Sequence, residues 1–385
     1  MRVAVVHDWL YVVGGAERVL REILRCYPQA HVFSLFDLLT PQDRAVIGIA
    51  HETTSFLQNA PFIATRHRWY LPLMPLAIEQ FDLSSYDLII SSSFAAAKGV
   101  LTGPDQIHIS YIHSPMRYAW DMQHQYLRDN GYRNGLKGAI ARSLLHYLRI
   151  WDARTANGPD VLIANSHFVA RRIEKAYGRR ARVIYPPVSL GRYVDAPRQS
   201  YFVTASRLVP YKNVEAIVRA FAELRDLRLI VAGDGPDASR LRKIATPNVA
   251  FEGFVSDERL RYLLASARAF VFAAEEDFGI VVVEAMSEGT PVLALNRGGA
   301  RESVSATAPR SGMFFANATP AEIADCVRSF VAQEDHFSSS ECRKQAQRFS
   351  AERFRRELED VVDHTIESRE RGMESNWTSA WPMTI

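Results

Sequence analysis

Residues 269–296 have the sequence AFVFAAEEDFGIVVVEAMSEGTPVLALN, which predicts a strand, an acidic loop, a helix and a second strand. The two apolar segments have the length and composition of buried strands, and Gly279 punctuates the loop before the helix. A strand, a crossover helix and a second strand in this order form a parallel β-α-β unit. The segment therefore predicts an α/β domain whose parallel sheet is covered by helices.

The same alternation of strand-like and helix-like segments extends over most of the chain. The other apolar segments are RVAVVHD, HVFSLF, DLIISSS, HISYIHS and VLIANS in the first half, and YFVTASRL, LRLIVAGDG and VAFEGFV in the second. Helical periodicity predicts helices at about residues 16–27, 136–157, 167–177 and 213–224. The alternation stops at VIYPPVSLGRYVDAPRQS, residues 183–200, whose prolines remove backbone donors and favour extended chain. We interpret this stretch as a linker.

The alternation of strand-like and helix-like segments starts again after the linker, which predicts two Rossmann-like domains in an α/β chain. We expect a first domain at residues 1–190, a second at 198–345, a C-terminal helix at 346–371 and a loosely held tail at 372–385. Ligands of open parallel sheets bind outside the carboxyl ends of the strands. We therefore expect the site in a cleft across which the two domains face each other.

Composition excludes several classes of protein. With 385 residues, of which 48% are apolar, the chain is long enough for two cores, and its net charge of +3 gives no support for nucleic acid as a partner. The three cysteines lack C-x-x-C spacing, so neither a disulfide framework nor a cysteine zinc site is expected. The opening lacks the features of a signal peptide, and no run approaches the ~20 apolar residues of a spanning helix. We expect a cytoplasmic protein, or one on the cytoplasmic face of the inner membrane.

Two cations follow the first strand of the second predicted domain. Arg207 comes directly after the segment YFVTAS, and Lys212 lies five residues later, beyond Pro210. A planar guanidinium and a point-like ammonium at one strand end suit a diphosphate. Because such residues are common near strand ends, the pair alone does not separate a diphosphate site from a charged surface.

The acidic loop provides a second candidate site. Glu276 and Glu284 are eight positions apart, so one carboxylate lies on the loop and the other in the second turn of the helix. The first amides of a helix lack intrahelical partners and favour anions, so a helix that begins near Gly279 can hold a phosphate. The alternative interpretation is an ordinary strand-loop-helix corner with exposed acids.

Two features of the first predicted domain complete the candidates. Gly14 and Gly15, in LYVVGGAE, let backbone amides approach a phosphate closely, although neither G-x-G-x-x-G nor a P-loop is present. His113 ends the segment HISYIH, where we expect it to face the cleft. A histidine at this position could also be a hydrogen-bonded structural residue.

Taken in order, these motifs resemble family 4 of the retaining glycosyltransferases, enzymes of the GT-B fold. The matching segments are EDFGIVVVEAMSEGTPVLALNRGGARE, SRLVPYKN, VAGDGP, FEGFVSDERL, ANSHFVARRI and HDWLYVVGGAERVL, which together span most of residues 1–335. The opening and HSPMRYAWD look most like bacterial mannosyltransferases that build O-antigen and exopolysaccharide. The resemblance also implies that the C-terminal helices cross back to brace the first domain.

The resemblance implies roles for the candidate residues. Arg207 and Lys212 match the pair that binds the donor diphosphate, and Glu284 matches the carboxylate that accepts hydrogen bonds from the nucleotide ribose. Glu276 matches the glutamate beside the transferred sugar, and His113 matches a histidine that contacts this sugar.

Backbone groups have implied roles as well. Gly15, next to Gly14, matches a loop glycine near the diphosphate and the acceptor. The amides that would cradle the phosphates belong to Phe278, Gly279, Ile280 and Val281.

The resemblance further implies the reaction. The donor is a nucleotide sugar, by resemblance GDP-mannose, and the acceptor is a saccharide, on a polyprenyl diphosphate or another lipid. Retention follows from attack on the face that the leaving group vacates, with the phosphate oxygen taking the acceptor proton. We expect no cofactor and no metal, since no D-x-D follows a strand and the two cations can replace one. A UDP-sugar donor and a GT-B sugar-nucleotide epimerase remain alternatives.

Two basic stretches bear on membrane contact. The segment FIATRHRWYLPLMPLA, residues 62–77, combines bases with aromatic and aliphatic residues that suit a bilayer surface. Residues 133–182 contain eleven Lys and Arg against three acids, an excess that could meet anionic head groups or a diphosphate. A packed loop and a solvated helix face are the respective alternatives.

Overall fold

The computed structural model describes residues 1–129, 131–132, 134–190, 194 and 196–371. The chain divides into two compact units. The first contains residues 1–185 and the described residues 354–371, and the second contains residues 186–353. The predicted tail at 372–385 lies outside the described residues, as does part of the predicted linker.

The first unit is built on a parallel sheet of seven strands in the order β3-β2-β1-β4-β5-β6-β7. The strands are β1 (Val3–His7), β2 (His31–Ser34), β3 (Glu52–Thr54), β4 (Leu88–Ser93), β5 (Ile107–Ile112), β6 (Val161–Ala164) and β7 (Arg182–Val183). Because β1 pairs with both β2 and β4, the direction of winding reverses between β1 and β4. The carboxyl ends of these two strands are where a ligand of such a sheet is expected.

Helices cover both faces of this sheet, as its buried apolar strands require. They are α1 (Gly15–Cys26), α2 (Pro41–Ile47), α3 (Ile63–Arg66), α4 (Met74–Glu79), α5 (Gln123–Asp129), α6 (Gly135–Thr155) and α7 (His167–Tyr177). Short 3₁₀ helices lie at Phe56–Asn59, His67–Leu73 and Ala97–Gly99.

The last helix of the described chain, α15 (Ala351–Glu370), contributes to the core of the first unit. Phe354, Leu358, Val361 and Val362 form its buried stripe and belong to the same cluster as Val19 of α1. Their spacing of four, three and one places them on one face of a helix. A segment from the far end of the sequence therefore completes the first core.

The second unit contains a parallel sheet of six strands in the order β10-β9-β8-β11-β12-β13. The strands are β8 (Tyr201–Ala205), β9 (Arg228–Ala232), β10 (Val249–Gly253), β11 (Phe270–Phe272), β12 (Val292–Leu295) and β13 (Gly312–Phe315). The helices are α8 (Val214–Glu223), α9 (Ala238–Ile244), α10 (Asp257–Ser266), α11 (Ile280–Ser287), α12 (Ala300–Ser303), α13 (Pro320–Val331) and α14 (Ser339–Gln347). Winding reverses between β8 and β11.

The strands and helices named in the sequence analysis are present, but three strands were not predicted. β3, β7 and β13 each lie at an edge of their sheet. Edge strands are short and carry polar residues, so Glu52–Thr54 and Arg182–Val183 lack the apolar run of a central strand. Within the described chain, no helix has both the length and the hydropathy needed to cross a membrane.

Candidate functional site

The loops after β8 and β11 bring charged residues together in the second unit. The ammonium of Lys212 forms an ion pair with the Glu276 carboxylate, and the two side chains are 15% and 22% exposed. They are 64 positions apart in sequence. They meet because β8 and β11 are neighbours at the point where the winding reverses, which is where open parallel sheets bind ligands.

Asn213 holds the two loops together. A 3₁₀ turn at Pro210–Lys212 ends at Asn213, whose backbone is left-handed, with φ 55° and ψ 27°. Its side-chain amide donates a hydrogen bond of 3.0 Å to the carbonyl of Ala273. Asparagine tolerates this backbone region better than other side chains. Asn213 was not predicted as part of the site, although an asparagine directly before a helix is a recognisable signal.

Arg207 is the second cation at this strand end. It follows β8 by two residues and is exposed. Within the described part of the chain, its guanidinium has no hydrogen-bond or ion-pair partner. Its donors are therefore available to an anion, whereas Lys212 already has a carboxylate partner.

The helix after the acidic loop begins as predicted. Gly279 adopts φ 86°, a left-handed backbone that favours glycine, and α11 follows at Ile280. The amide of Val282 donates to the Gly279 carbonyl at 3.0 Å, so the helical hydrogen bonds start there. The amides of Gly279, Ile280 and Val281 precede that bond, at the positive end of the helix dipole.

Two predicted residues beside these amides have different surroundings. The Phe278 side chain is buried and its ring packs edge-on against Phe349, with centroids 5.3 Å apart. Phe278 thus anchors the loop through its ring. Glu284 lies half-buried in the second turn of α11.

A pair of glycines, which the sequence analysis did not assign, supports the acidic loop from the strand β12 side. The amide of Gly299 donates to the Glu276 carbonyl at 2.9 Å. A Cβ at Gly298 would lie 2.4 Å from that carbonyl oxygen, and one at Gly299 would lie 2.4 Å from the Cα of Phe278. Only glycine therefore permits this approach, and the repeated G-G in NRGGA was the available signal.

The first unit has its own polar cluster where the winding reverses. His113 follows β5, and its Nε2 lies 2.8 Å from the hydroxyl of Ser92 on β4. The same hydroxyl lies 3.1 Å from Nδ1 of His7 at the end of β1. Three neighbouring strands thus contribute one series of hydrogen-bonded side chains, of which only His113 was predicted as a site residue.

Asp8 organises the turn after β4. Its carboxylate accepts four backbone hydrogen bonds of 2.5–2.8 Å, from Phe94, Ala95, Ala96 and Ala97. Complete burial raises the pKa of Asp8, while the hydrogen bonds from Phe94, Ala96 and Ala97 act in the opposite direction. Asp8 was not among the predicted site residues, and the structure gives it a positioning role.

The loop that contains Gly14 and Gly15, here called the glycine loop, lies beside this cluster. Gly15 is the first residue of α1, and the amide of Gly14 donates to Glu17 Oε2 at 2.9 Å. The other carboxylate oxygen of Glu17 lies 3.6 Å from Nε2 of His7. The predicted residues Gly14, Gly15 and His113 therefore belong to one region of the first unit.

Burial lowers the pKa of His113 to about 3. The imidazole of His113 is therefore neutral near pH 7, able both to donate and to accept a hydrogen bond.

The predicted site residues thus form two groups, one in each unit. The second unit contains Arg207, Lys212, Glu276, Phe278, Gly279, Ile280, Val281 and Glu284, and the first contains Gly14, Gly15 and His113. The described residues include no group of three or more His, Cys, Asp and Glu side chains arranged to hold a metal ion. Metal independence and the common cleft remain predictions.

Comparison with known families assigns nearly the whole chain. Residues 13–192 match the family described as Glycosyltransferase Family 4, and residues 193–350 match the family described as Glycosyl transferases group 1. The boundary between the two matches falls within the predicted linker.

Curated relatives match parts of the chain. A GDP-mannose-dependent alpha-(1-6)-phosphatidylinositol monomannoside mannosyltransferase of Mycobacterium tuberculosis is 29% identical over 228 residues, which are 51% of this chain and 57% of that protein. An uncharacterized glycosyltransferase of Bacillus subtilis is 29% identical over 42% of this chain and 49% of its own length. The chain thus spans about half the length of the curated relatives it matches.

Solved structures match over nearly the full length. HepE of Anabaena in complex with UDP has a TM-score of 0.69 at 20% identity, covering 94% of this chain and 100% of that one. A sucrose-phosphate synthase from Thermosynechococcus elongatus has a TM-score of 0.70 at 16% identity, covering 96% and 100%. At these identities, the likeness shows a shared fold.

Proposed function

Because the chain belongs to the family 4 glycosyltransferases, which have the GT-B fold, we propose that it transfers a hexosyl group from a nucleoside diphosphate sugar with retention of configuration. The observation that carries the proposal is the meeting of Lys212 and Glu276 beside Arg207 at the β8 and β11 strand ends. A diphosphate develops negative charge as it leaves the sugar, and cations placed beforehand stabilise that charge.

Each group in the second unit has a role in this reaction. Arg207 and Lys212 bind the diphosphate, and the amides of residues 278–281 add the positive end of the α11 dipole. Glu276, held by Lys212, lies beside the transferred sugar, and Glu284 accepts hydrogen bonds from the ribose hydroxyls. The leaving phosphate oxygen takes the proton of the acceptor hydroxyl, so neither a covalent intermediate nor a metal is required.

We propose GDP-mannose as the donor. Support comes from the mycobacterial relatives described as GDP-mannose-dependent mannosyltransferases. A UDP-sugar is the alternative, since HepE was crystallised with UDP and with UDP-glucose. The first experiment is calorimetric titration with GDP, UDP and ADP in the presence of EDTA. Preference for GDP supports a mannosyl donor, and preference for UDP refutes it while retaining the transferase.

A second assay separates transfer from epimerisation. A GT-B epimerase shares the diphosphate site but needs no acceptor. Incubation of the protein with nucleotide sugar alone, followed by analysis of the recovered sugar, distinguishes the two reactions. Recovery of an epimerised sugar without acceptor would refute the transferase proposal.

The acceptor we propose is a lipid-linked saccharide, on polyprenyl diphosphate, in bacterial surface polysaccharide synthesis. Its lipid would hold the reaction at the cytoplasmic face of the inner membrane. Two surfaces of the first unit support this proposal. At residues 62–77, Trp69 is 64% exposed, and the guanidinium of Arg66 lies 4.2 Å from its ring centroid. Such aromatic and basic pairs suit a lipid interface.

The second surface is an exposed apolar stripe on helix α6. Its exposed apolar side chains are Leu136, Ile140, Leu144, Tyr147 and Ile150. Lys137 and Arg142 lie on the same helix, and its only acid, Asp152, is buried and paired with Lys98. Apolar and cationic side chains together complement an anionic bilayer.

Vesicle sedimentation tests the membrane proposal. With vesicles containing anionic lipid, Arg66→Gln with Arg68→Gln, and separately Ile140→Ser with Ile150→Ser, should each reduce binding. Arg225→Gln with Arg228→Gln, at two exposed arginines of the second unit, is the control for the loss of two positive charges. Unchanged binding in both double variants would refute contact through these surfaces.

A further inference from the structure

The chain of polar groups that ends at His113 begins with a carboxylate on α1. Glu17 Oε1 lies 3.6 Å from His7 Nε2, His7 Nδ1 lies 3.1 Å from Ser92 Oγ, and this oxygen lies 2.8 Å from His113 Nε2. His7, Glu17 and Ser92 are all buried. Because Ser92 has a single hydroxyl proton, it can donate to at most one imidazole, and an imidazole that does not accept this proton must itself donate to Ser92.

Glu17 decides the direction in which these hydrogen bonds run. The 3.6 Å separation from His7 is too long for a hydrogen bond, but the negative charge still favours an N–H over a lone pair on His7 Nε2. A neutral His7 with its proton on Nε2 has a lone pair on Nδ1, which accepts from the Ser92 hydroxyl. Ser92 then accepts from His113, whose proton must be on Nε2.

We propose that Glu17, His7 and Ser92 are positioning residues that set the tautomer of His113. They hold its proton on Nε2 and leave Nδ1 as a hydrogen-bond acceptor. In the proposed reaction, that acceptor receives a hydroxyl of the transferred sugar, so this part rests on the proposed function. The tautomer itself follows from the first unit alone.

The backbone of the glycine loop fixes the orientation of the side chain at position 17, and this gives a direct test of the proposal. The Gly14 amide donates to Glu17 Oε2 at 2.9 Å, so that position requires an acceptor. In Glu17→Gln, the amide oxygen should take that position, and the amide NH₂ should face His7 Nε2. Nε2 of His7 would then carry the lone pair, and every hydrogen bond between His7 and His113 would reverse. His113 in Glu17→Gln should therefore carry its proton on Nδ1.

Long-range ¹H–¹⁵N NMR of ¹⁵N-histidine-labelled full-length protein distinguishes the two tautomers. Signals of His113 are assigned by their loss in His113→Gln. The expected result is Nε2–H in the unaltered protein and Nδ1–H in Glu17→Gln. A proton on Nδ1 in the unaltered protein, a doubly protonated His7, or an unchanged tautomer in Glu17→Gln would each overturn the proposal.

Variants of Ser92 test whether Glu17 influences the tautomer of His113 through the Ser92 hydroxyl. In Ser92→Ala, the tautomer of His113 should no longer respond to Glu17→Gln, whereas Ser92→Thr keeps a hydroxyl and should retain the response. Ser91→Ala is the matched control, since Ser91 lies on the same strand but its hydroxyl contacts His108 Nε2 at 2.8 Å. A response that persists in Ser92→Ala would overturn the proposal.

Kinetics separate this proposal from the proposed function. If transfer occurs, kcat should fall about tenfold in Ser92→Ala, the factor that corresponds to one lost hydrogen bond, with KM for the donor little changed. The Thr variant should recover most of this loss. Absence of transfer in the unaltered protein would refute the function but leave the NMR result standing. Normal transfer with the wrong tautomer would refute only the positioning role.

Discussion

Lys212 and Glu276 illustrate how a single residue depends on its partner. The pair is only partly exposed, so removing the lysine leaves a carboxylate without its counter-charge close to the position proposed for the diphosphate. Arg207 has no such partner in the described part of the chain, so its removal leaves no unpaired group. Loss of Lys212 and loss of Arg207 should therefore have different effects on nucleotide binding.

Lys212→Ala should weaken GDP binding more than Arg207→Ala does. Both should lower kcat/KM, by about 10²–10³-fold for one lost donor to developing charge. Adding Glu276→Gln to Lys212→Ala should restore part of the nucleotide affinity, because the unpaired charge is removed. Calorimetry in EDTA measures these effects, with Arg225→Ala as control. Equal losses in both single variants would contradict the argument.

His108 predicts a pH dependence of stability. Burial lowers its pKa to about 3, from an ordinary value of 6.5. The folded state therefore keeps His108 neutral, while the unfolded state takes up a proton as the pH falls below about 6.5. The stabilisation is fully present above that pH and is lost progressively between about pH 6.5 and 3.

Urea unfolding at pH 7.5 and 5.0 tests this prediction. The free energy of unfolding should be lower at pH 5.0, with about 2 kcal/mol of the difference due to His108. His108→Gln should lower stability at both values but reduce the difference between them. An undiminished difference in the variant would show that other groups cause the pH dependence.

Elements determine which loops meet. In both sheets the winding reverses beside the first strand, between β1 and β4 and between β8 and β11. The polar clusters of both units lie at those reversals, so the strand order positions them more than any single loop does. Helix α15 shows the same dependence, since its buried stripe completes a core whose other members lie more than 160 residues earlier.

Gly299→Ala tests the packing of one loop on another. The new Cβ would lie 2.4 Å from the Cα of Phe278, so the acidic loop must shift. We expect a loss of about 1–3 kcal/mol in stability, as for other overpacked positions, together with weaker nucleotide binding. Thermal unfolding and calorimetry measure the two effects.

Gly103→Ala is the control for this substitution. A Cβ at Gly103 would meet the Gln106 side chain at 3.6 Å, an ordinary contact, so neither stability nor affinity should change much. Nucleotide affinity equal to that of the unaltered protein in Gly299→Ala would show that the acidic loop does not contribute to the nucleotide site.

At the scale of the whole molecule, the two groups of site residues belong to different compact units. The groups proposed to bind the nucleotide diphosphate lie in the second unit, and His113 lies in the first. Substrate binding and sugar transfer should therefore be separable by mutation.

His113→Gln should lower kcat by about 10²-fold or more, the range for one lost polar group at a reacting centre, while the Kd for GDP stays unchanged. Arg207→Ala should change both quantities. Transfer assays and titrations, each with and without EDTA, provide the comparison. A lower GDP affinity in His113→Gln would place the histidine at the diphosphate instead, and loss of activity in EDTA would refute metal independence.

Local sequence patterns determined the central strands, the main helices and several of the predicted site residues. The spacing of apolar residues predicted the central strands and the main helices, because burial on both faces of a parallel sheet requires continuous apolar runs. Motifs in loops directly after strands predicted Arg207, Lys212, Glu276 and Gly279 as site residues. Glycine, proline and charged residues at strand ends are local signals, and they need no knowledge of which strands are neighbours.

Only the tertiary structure decided which of these residues meet. The Lys212–Glu276 ion pair joins residues 64 positions apart, and the His7, Ser92 and His113 chain joins three strands. Edge strands such as β3 and β7 also escaped prediction, since their residues carry no apolar run. Contacts of this kind depend on strand order and register, which arise from packing of the whole sheet and which no local pattern encodes.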